Sequence, residues 1–303
     1  MSSFKIFFYF QAGLGVLANM FLLVFYIFII LGHRPKPTDL ISCQLTFVHT
    51  MMVLIGGDML LTDLFESPNI RNDLKCKATF YLFRVMRGLS ICTTCLLSVF
   101  QAVTISPNTS LLAKFKQKLK KYMAYVFLCI WTFNLSFSTN RIFYAAGFTN
   151  VSETNQMQVT KSCSNLPMNY IIRGLIFTMP TFRDVFLVGV MLITSTYMVI
   201  FLFRHQRQCK HVHSISHLRQ SPEKRATLTI LLLVVFFVVM YWVDFIISFT
   251  LDMLWMYDRV ILTVQKFIIY AYPTITPLVQ ISFDNRIVIM LKNIHLKCHK
   301  ISS

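Results

Sequence analysis

The chain has 303 residues and a formal charge of +17, yet only 14% of its residues are charged while 55% are hydrophobic. With a mean hydropathy of +0.60, this balance excludes a disordered chain and argues against an ordinary soluble domain. The basic surplus does not point to nucleic acid, because it lies in short segments between apolar runs and builds no aromatic–basic surface.

A bilayer core of about 30 Å needs about 20 mostly apolar helical residues. Long runs without charge place seven such helices at about 7–31, 39–60, 78–105, 122–144, 181–203, 226–249 and 260–283, with a tail over 284–303. The expected architecture is therefore an all-α seven-transmembrane helix bundle, one polytopic domain over 1–303. The first run is too long for a cleavable signal peptide and reads as an anchor. Pro35 and Pro37 stop it, since proline lacks the amide donor and restricts its predecessor. The second span carries His49 and Asp58. In the third, Arg84 and Arg87 lie three apart and share a helical face. Cys92 and Cys95 form a CxxC there, but without a second pair or a nearby His they read as packing and not as a metal site.

Further along, Asn134-Leu135-Ser136 has the glycosylation pattern inside the fourth span, and Asn150-Val151-Ser152 has it in the loop that follows. Arg183 and Asp184 open the fifth span. Cys209, His211 and His213 fall in a basic loop and read as solvated rather than metal-bound. The sixth span begins after Glu223-Lys224-Arg225, carries no charge from Ala226 to Val243, and ends at Tyr241-Trp242 and Asp244. In the seventh, Lys266 precedes Pro273 and Pro277, which kink the helix and free backbone carbonyls for neighbours to satisfy. Ile287, Met290, Leu291 and Ile294 then mark one face of a short tail helix along the membrane.

Basic residues gather in alternate loops. Arg34 and Lys36 occupy the first, five lysines from Lys114 to Lys121 the third, Arg204, Arg207, Lys210, Arg219, Lys224 and Arg225 the fifth, and Arg286, Lys292, Lys297 and Lys300 the tail. The other loops hold Asp63, Glu66, Asp73, Glu153, Asp252 and Asp258. By the positive-inside rule this puts the N-terminus outside and the C-terminus in the cytoplasm, with the basic loops also drawn to anionic lipid. Arg84, Arg87, Arg141, Arg183 and Lys266 then fall near the outer ends of spans, opposed by Asp58, Asp184 and Asp244. Buried ionisable groups usually face the bundle interior or a water-filled cavity. Two readings stay open: a ligand pocket with a positive surplus, or charges that pair with one another and snorkel to headgroups.

Four blocks resemble one known family. They are HRPKPTDLI at 33–41, GLSICTTCLLSVFQAVTISP at 88–107, HSIS at 213–216 with SPEKRATLTILLLVVFFVVMYWVD at 221–244, and YPTITPLV at 272–279. Together they are similar to the vomeronasal type-1 receptors, the pheromone-receptor family of seven-helix G-protein-coupled receptors. Larger rhodopsin-like receptors carry an acidic-Arg-Tyr trio where this chain has Phe100-Gln101-Ala102, and an Asp where it has His49. Their Asn-Pro-x-x-Tyr is replaced here by Thr276-Pro277-Leu278-Val279-Gln280, so their switches do not carry over.

The resemblance implies a chemosensory receptor, not an enzyme and without cofactor or metal, in the plasma membrane of vomeronasal sensory neurons. It binds a small-molecule pheromone in the outer half of the bundle and activates a heterotrimeric G protein of the inhibitory class. Arg84, Arg87, Arg183, Asp244 and Lys266 are the candidate ligand-binding residues, and the cationic ones point to an anionic, steroid-like ligand gripped through paired hydrogen bonds. Cys76 and Cys163 are the cysteines that the topology places outside. A bridge between them suits that oxidising compartment and ties the outer loop to helix three, as in most receptors of this superfamily. Asn150 is the expected glycosylation site, Asn108 faces the cytoplasm, and Cys298 is a candidate for palmitoylation. The rival functions are a bitter-taste-like chemoreceptor, a transporter, which would need repeats and interrupted spans that the chain lacks, and an intramembrane hydrolase, for which no HExxH or GxSxG occurs.

Overall fold

The computed structural model describes residues 2–32, 35–65, 73–106, 117–119, 121–139, 142, 145–147, 157–158, 163–165, 170–212, 222–254, 259–284 and 286–290. It is almost entirely helical. The helices are α1 (Ser2–Gly32), α2 (Pro37–Phe65), α3 (Asp73–Ile105), α4 (Met123–Ser138), α5 (Tyr170–Val212), α6 (Pro222–Leu254) and α7 (Arg259–Phe283). Between α4 and α5 run three short strands, β1 (Ala145–Gly147), β2 (Met157–Gln158) and β3 (Cys163–Asn165). They form an antiparallel sheet in the order β1-β3-β2, with Ala146 opposite Ser164 and Met157 opposite Asn165. Sequence alone gave no sign of these strands, which are too short to show an alternating pattern.

Among the described residues, four segments are long and apolar enough to cross a membrane, Ile6–Gly32, Pro37–Gly57, Leu74–Ile105 and Thr178–Arg204, and Met123–Ser138 and Leu231–Ile247 are shorter apolar helices. Large apolar side chains point outward in numbers no soluble protein tolerates. Leu17, Phe28 and Leu31 of α1 and Phe182, Phe186 and Ile193 of α5 are all exposed.

α3 is the axis of the bundle. It packs against α2, α4, α5 and α6, and also meets β1. Of its most apolar stretch 78% is buried, against 28% for α1 and 22% for α5. Its sequence explains the position. Gly88, Ser90, Thr93, Thr94, Ser98 and Ala102 are small and let neighbouring backbones come close, and their hydroxyls bond across helices. Thr93 Oγ1 accepts from Gln44 Nε2 at 3.1 Å, and Ser98 Oγ lies 2.7 Å from Thr194 Oγ1. Val85, Leu89 and Ile91 fill the space between them, each essentially inaccessible.

α7 carries Pro273 and Pro277 within its length. Proline at 277 removes the amide that would close on the carbonyl of residue 273. Asn19 of α1 supplies the missing donor: its Nδ2 bonds Pro273 O at 2.8 Å, and Gly15 O at the same distance. Gly15 lets the two helices meet, since a Cβ there would come within 2.9 Å of Thr274 Oγ1.

The opposite end of the bundle from the strands is closed by a charged clasp. Pro37 opens α2, where its lack of an amide costs nothing, and Asp39 in that first turn accepts from Lys36 N at 3.1 Å. Arg286, in the short helical stretch 286–290 that follows α7, donates through Nη2 to Asp39 Oδ1 at 2.9 Å and to Asp284 Oδ2 at 3.0 Å. Partial burial works against the Arg286 charge, and the bonds to Asp39 and Asp284 more than overcome it, holding its pKa above the ordinary value. Beside the clasp, Ile287 is buried against Leu22 and Tyr26 of α1.

Candidate functional site

Around the middle of α3, positions 87, 90, 91 and 94 fall on one face at helical spacing. That face meets the C-terminal half of α6 and the middle of α7. Between them lies a cleft of about 410 Å³ of empty space, counted out to its open mouth. Its walls are mostly apolar, with Met52, Ile91, Phe237, Met240, Ile268, Ile269 and Pro273. The polar lining consists of Arg87, Ser90, Tyr241, Asp244 and Tyr272.

Arg87 donates through Nη2 to Asp244 Oδ2, forming an ion pair between α3 and α6. The carboxylate side chain is 4% exposed and the guanidinium side chain 21%. Gln265 Nε2 adds a longer bond to Asp244 Oδ1 at 3.3 Å, bringing α7 into the same group. The two charges cancel within the lining.

The floor of the cleft is a second polar group. His49 of α2 is fully buried, and its Nε2 lies 3.0 Å from Ser90 Oγ. Its ring stands edge-on to Tyr272, centroids 5.1 Å apart. The Tyr272 hydroxyl lies 3.1 Å from Thr94 Oγ1, and Phe237 packs against the Tyr272 ring at 4.7 Å.

A third group sits behind Tyr241, outside the lining. Arg183 bonds Asp184 Oδ1 through Nε at 2.7 Å and Nη2 at 2.6 Å, and donates through Nη1 to Asn134 Oδ1 at 3.1 Å. Its guanidinium also stands over the Phe137 ring, 5.1 Å from the centroid. The Tyr241 hydroxyl lies beside the Asp184 carboxylate. Gly88 makes room for this group: a Cβ there would run into Asn134 Oδ1 and come within 2.9 Å of Arg183 Nη1.

Of the five residues expected to bind ligand, the cleft thus brings together Arg87 and Asp244. Arg183 is engaged elsewhere with Asp184. Arg84 and Lys266 are half-buried and interact with neighbours, but they do not line the cleft. The side chain of Asp58 lies outside the described residues, as do Asn108, Arg141, Asn150 and Cys298. Cys76 is disulfide-bonded, whereas Cys43, Cys92, Cys95 and Cys129 are free. Cys163 belongs to β3, and its side chain lies outside the described residues. Cys92 of the CxxC accepts from Asn134 Nδ2 at 3.5 Å. No group of His, Cys, Asp and Glu able to hold a metal occurs among the described residues.

Ser90, Tyr241, Gln265 and Tyr272 are not among the ligand-binding residues that the sequence suggests, although Tyr241 stands out at the end of the sixth span. A helical-spacing search from the charged residues finds the first two, since Ser90 lies three after Arg87 and Tyr241 three before Asp244. Gln265 and Tyr272 join through α7, which no local pattern connects to α3 or α6.

Comparison with known proteins covers nearly the whole chain. The model of the vomeronasal organ pheromone receptor family matches residues 2–293. The chain is 41% identical to vomeronasal type-1 receptor 90 of Rattus norvegicus, over 95% of this chain and 93% of that one. It is 38% identical to the rat vomeronasal type-1 receptor 100, over 94% of this chain and 88% of the relative. With vomeronasal type-1 receptor 48 of Mus musculus it shares 36% identity over 94% of each chain.

Proposed function

Since the chain belongs to the vomeronasal organ pheromone receptor family, a family of receptors and not of enzymes, we propose that it is a multi-pass chemosensory receptor of the plasma membrane of vomeronasal sensory neurons. It binds a small pheromone in the cleft between α3, α6 and α7 and then activates a heterotrimeric G protein of the inhibitory class. The observation that carries the site is an apolar-walled cleft that holds an ion pair joining two helices. Apolar-walled clefts with a few convergent polar groups are the usual form of small-molecule sites.

The ligand suited to these walls has an apolar body and a polar head. An anionic head, the expectation drawn from the arginines, competes with Asp244 for Arg87. Binding of that kind favours an arrangement in which α6 is released from α3, and a ligand shifts an equilibrium only through such a difference. The test is nucleotide exchange on an inhibitory-class G protein in membranes carrying the receptor, screened with urinary steroids and volatiles, in sulfated and unsulfated pairs. Ligand-dependent exchange is expected, and Met240→Trp, which fills the cleft, abolishes it at unchanged surface level. Solute flux in proteoliposomes without exchange supports the transporter reading instead and sinks this one.

The same reading places the strands outside the cell. Cys163 is then the partner of Cys76: it lies in β3, paired with β1, and β1 packs on α3. Asn150, in the same loop, is glycosylated. A glycosidase-sensitive mass shift is expected and is lost in Asn150→Gln; a shift that survives this substitution overturns the topology.

A further inference from the structure

The floor of the cleft has a donor whose direction is fixed from behind. We infer that Ser90, oriented by His49, recognises a hydrogen-bond acceptor oxygen on the ligand, so that the receptor selects a ketone, ester or similarly oxygenated molecule over the bare hydrocarbon skeleton. This rests on the cleft being the ligand site.

An uncharged imidazole has one donor and one acceptor nitrogen. His49 Nδ1 is buried and has no hydrogen-bond partner among the described residues, whereas Nε2 meets Ser90 Oγ at 3.0 Å. A buried N–H without a partner is rarer and costlier than a buried acceptor without one. The proton therefore sits on Nε2 and is donated to Ser90 Oγ. With its oxygen accepting from His49, the Ser90 hydroxyl has its own proton to give. No other partner of that hydroxyl occurs among the described residues, and Ser90 lines the cleft. That proton is available to the cavity.

The neighbouring hydroxyls do not offer the same. Tyr272 is tied to Thr94, and Tyr241 has the Asp184 carboxylate beside it as an acceptor. Arg87 is committed through Nη2 to Asp244 and offers a charged donor, suited to an anion, where Ser90 offers a neutral one. Ser90 is thus the donor poised for an incoming oxygen, with His49 as the positioning residue behind it. A neutral carbonyl and a sulfate oxygen both meet its requirement, and the pair at Arg87 then separates neutral from anionic ligands.

The experiment uses the full-length chain in nanodiscs and two probes, androstane and the matching ketone androstanone, with apparent affinity read from the ligand-induced rise in thermal unfolding. The ketone is expected to bind wild type about fivefold more tightly, the worth of one typical hydrogen bond. The preference disappears in Ser90→Ala and in His49→Leu, while Ser90→Thr and His49→Gln retain it. Androstane binding by each variant reports that its cleft is folded, and the preference is read as the ratio of the two affinities within that variant. Equal affinity of the two probes for wild type overturns the inference, as does a ketone preference that survives Ser90→Ala. If Ser90→Ala does not fold, loss of the preference in Ser90→Thr and in His49→Gln overturns it as well. A different failure marks the underlying reading: if neither probe binds, or both still bind Met240→Trp, the cleft is not the site.

Discussion

Two ion pairs tie together helices that are far apart in the chain, and they do so in different surroundings. Arg87–Asp244 joins α3 to α6 at the wall of the cleft, and Arg286–Asp39 joins the stretch after α7 to the start of α2. Each has a carboxylate side chain only 4% exposed, but Arg87 is 21% exposed and Arg286 44%. The first cation has left water for an apolar cavity, so its partner is what makes its position tolerable. The second has kept much of its hydration and is shared between Asp39 and Asp284. One pair is a constraint within the bundle that a ligand can reach; the other docks a tail onto it.

Breaking the cleft pair has the larger expected effect. Arg87→Gln leaves Asp244 buried with Gln265 as its remaining partner, and removal of one member of a buried pair costs about 3–5 kcal/mol. The expected outcome is strongly reduced surface expression and a large fall in the apparent unfolding temperature. Asp244→Asn, which removes the more deeply buried charge and leaves the more exposed one, costs less. The double substitution Arg87→Gln with Asp244→Asn recovers part of the loss, because no uncompensated charge remains. Equal cost for the single and double variants, by surface labelling and thermal unfolding, breaks the comparison at its root.

How far the sequence reached differs in the same way between the two places. Apolar runs longer than a bilayer core made the helical, multi-pass architecture legible, since burial in lipid leaves so few other choices. The proline pair in α7 showed that a carbonyl would need a donor, but not that Asn19, 254 residues earlier, would supply it. Arg84 and Arg87 share a face, yet only Arg87 reaches the cleft. Three residues correspond to about 300° of helix, which leaves neighbours some 60° apart, enough to turn one toward α6 and the other away from it. The pairing of Arg87 and of Arg183 was left open by sequence because it depends on which helices adjoin, and no local pattern encodes that. Asn134 read as a glycosylation pattern buried in a span; its use as an acceptor for Arg183 and donor to Cys92 required the Gly88 approach to be seen.

The clasp gives the smaller effect and the sharper discrimination. Arg286→Gln takes from the buried Asp39 its charged partner but leaves the Lys36 amide, while the lost cation was half in water. A pair of this kind contributes about 1 kcal/mol or less. Asp39→Asn removes the buried charge itself and leaves Arg286 with Asp284 and with solvent, so it costs less than Arg286→Gln. Salt separates the clasp from the cleft pair. At about 1 M ionic strength the Debye length falls to about 3 Å, and interactions of exposed charges are largely screened while buried pairs are not. The difference in unfolding temperature between wild type and Arg286→Gln is expected to shrink markedly on going from low to molar salt, whereas that of Arg87→Gln persists. If both differences shrink alike, the cleft pair is as wet as the clasp, and its role as a constraint that ligand must displace falls with it.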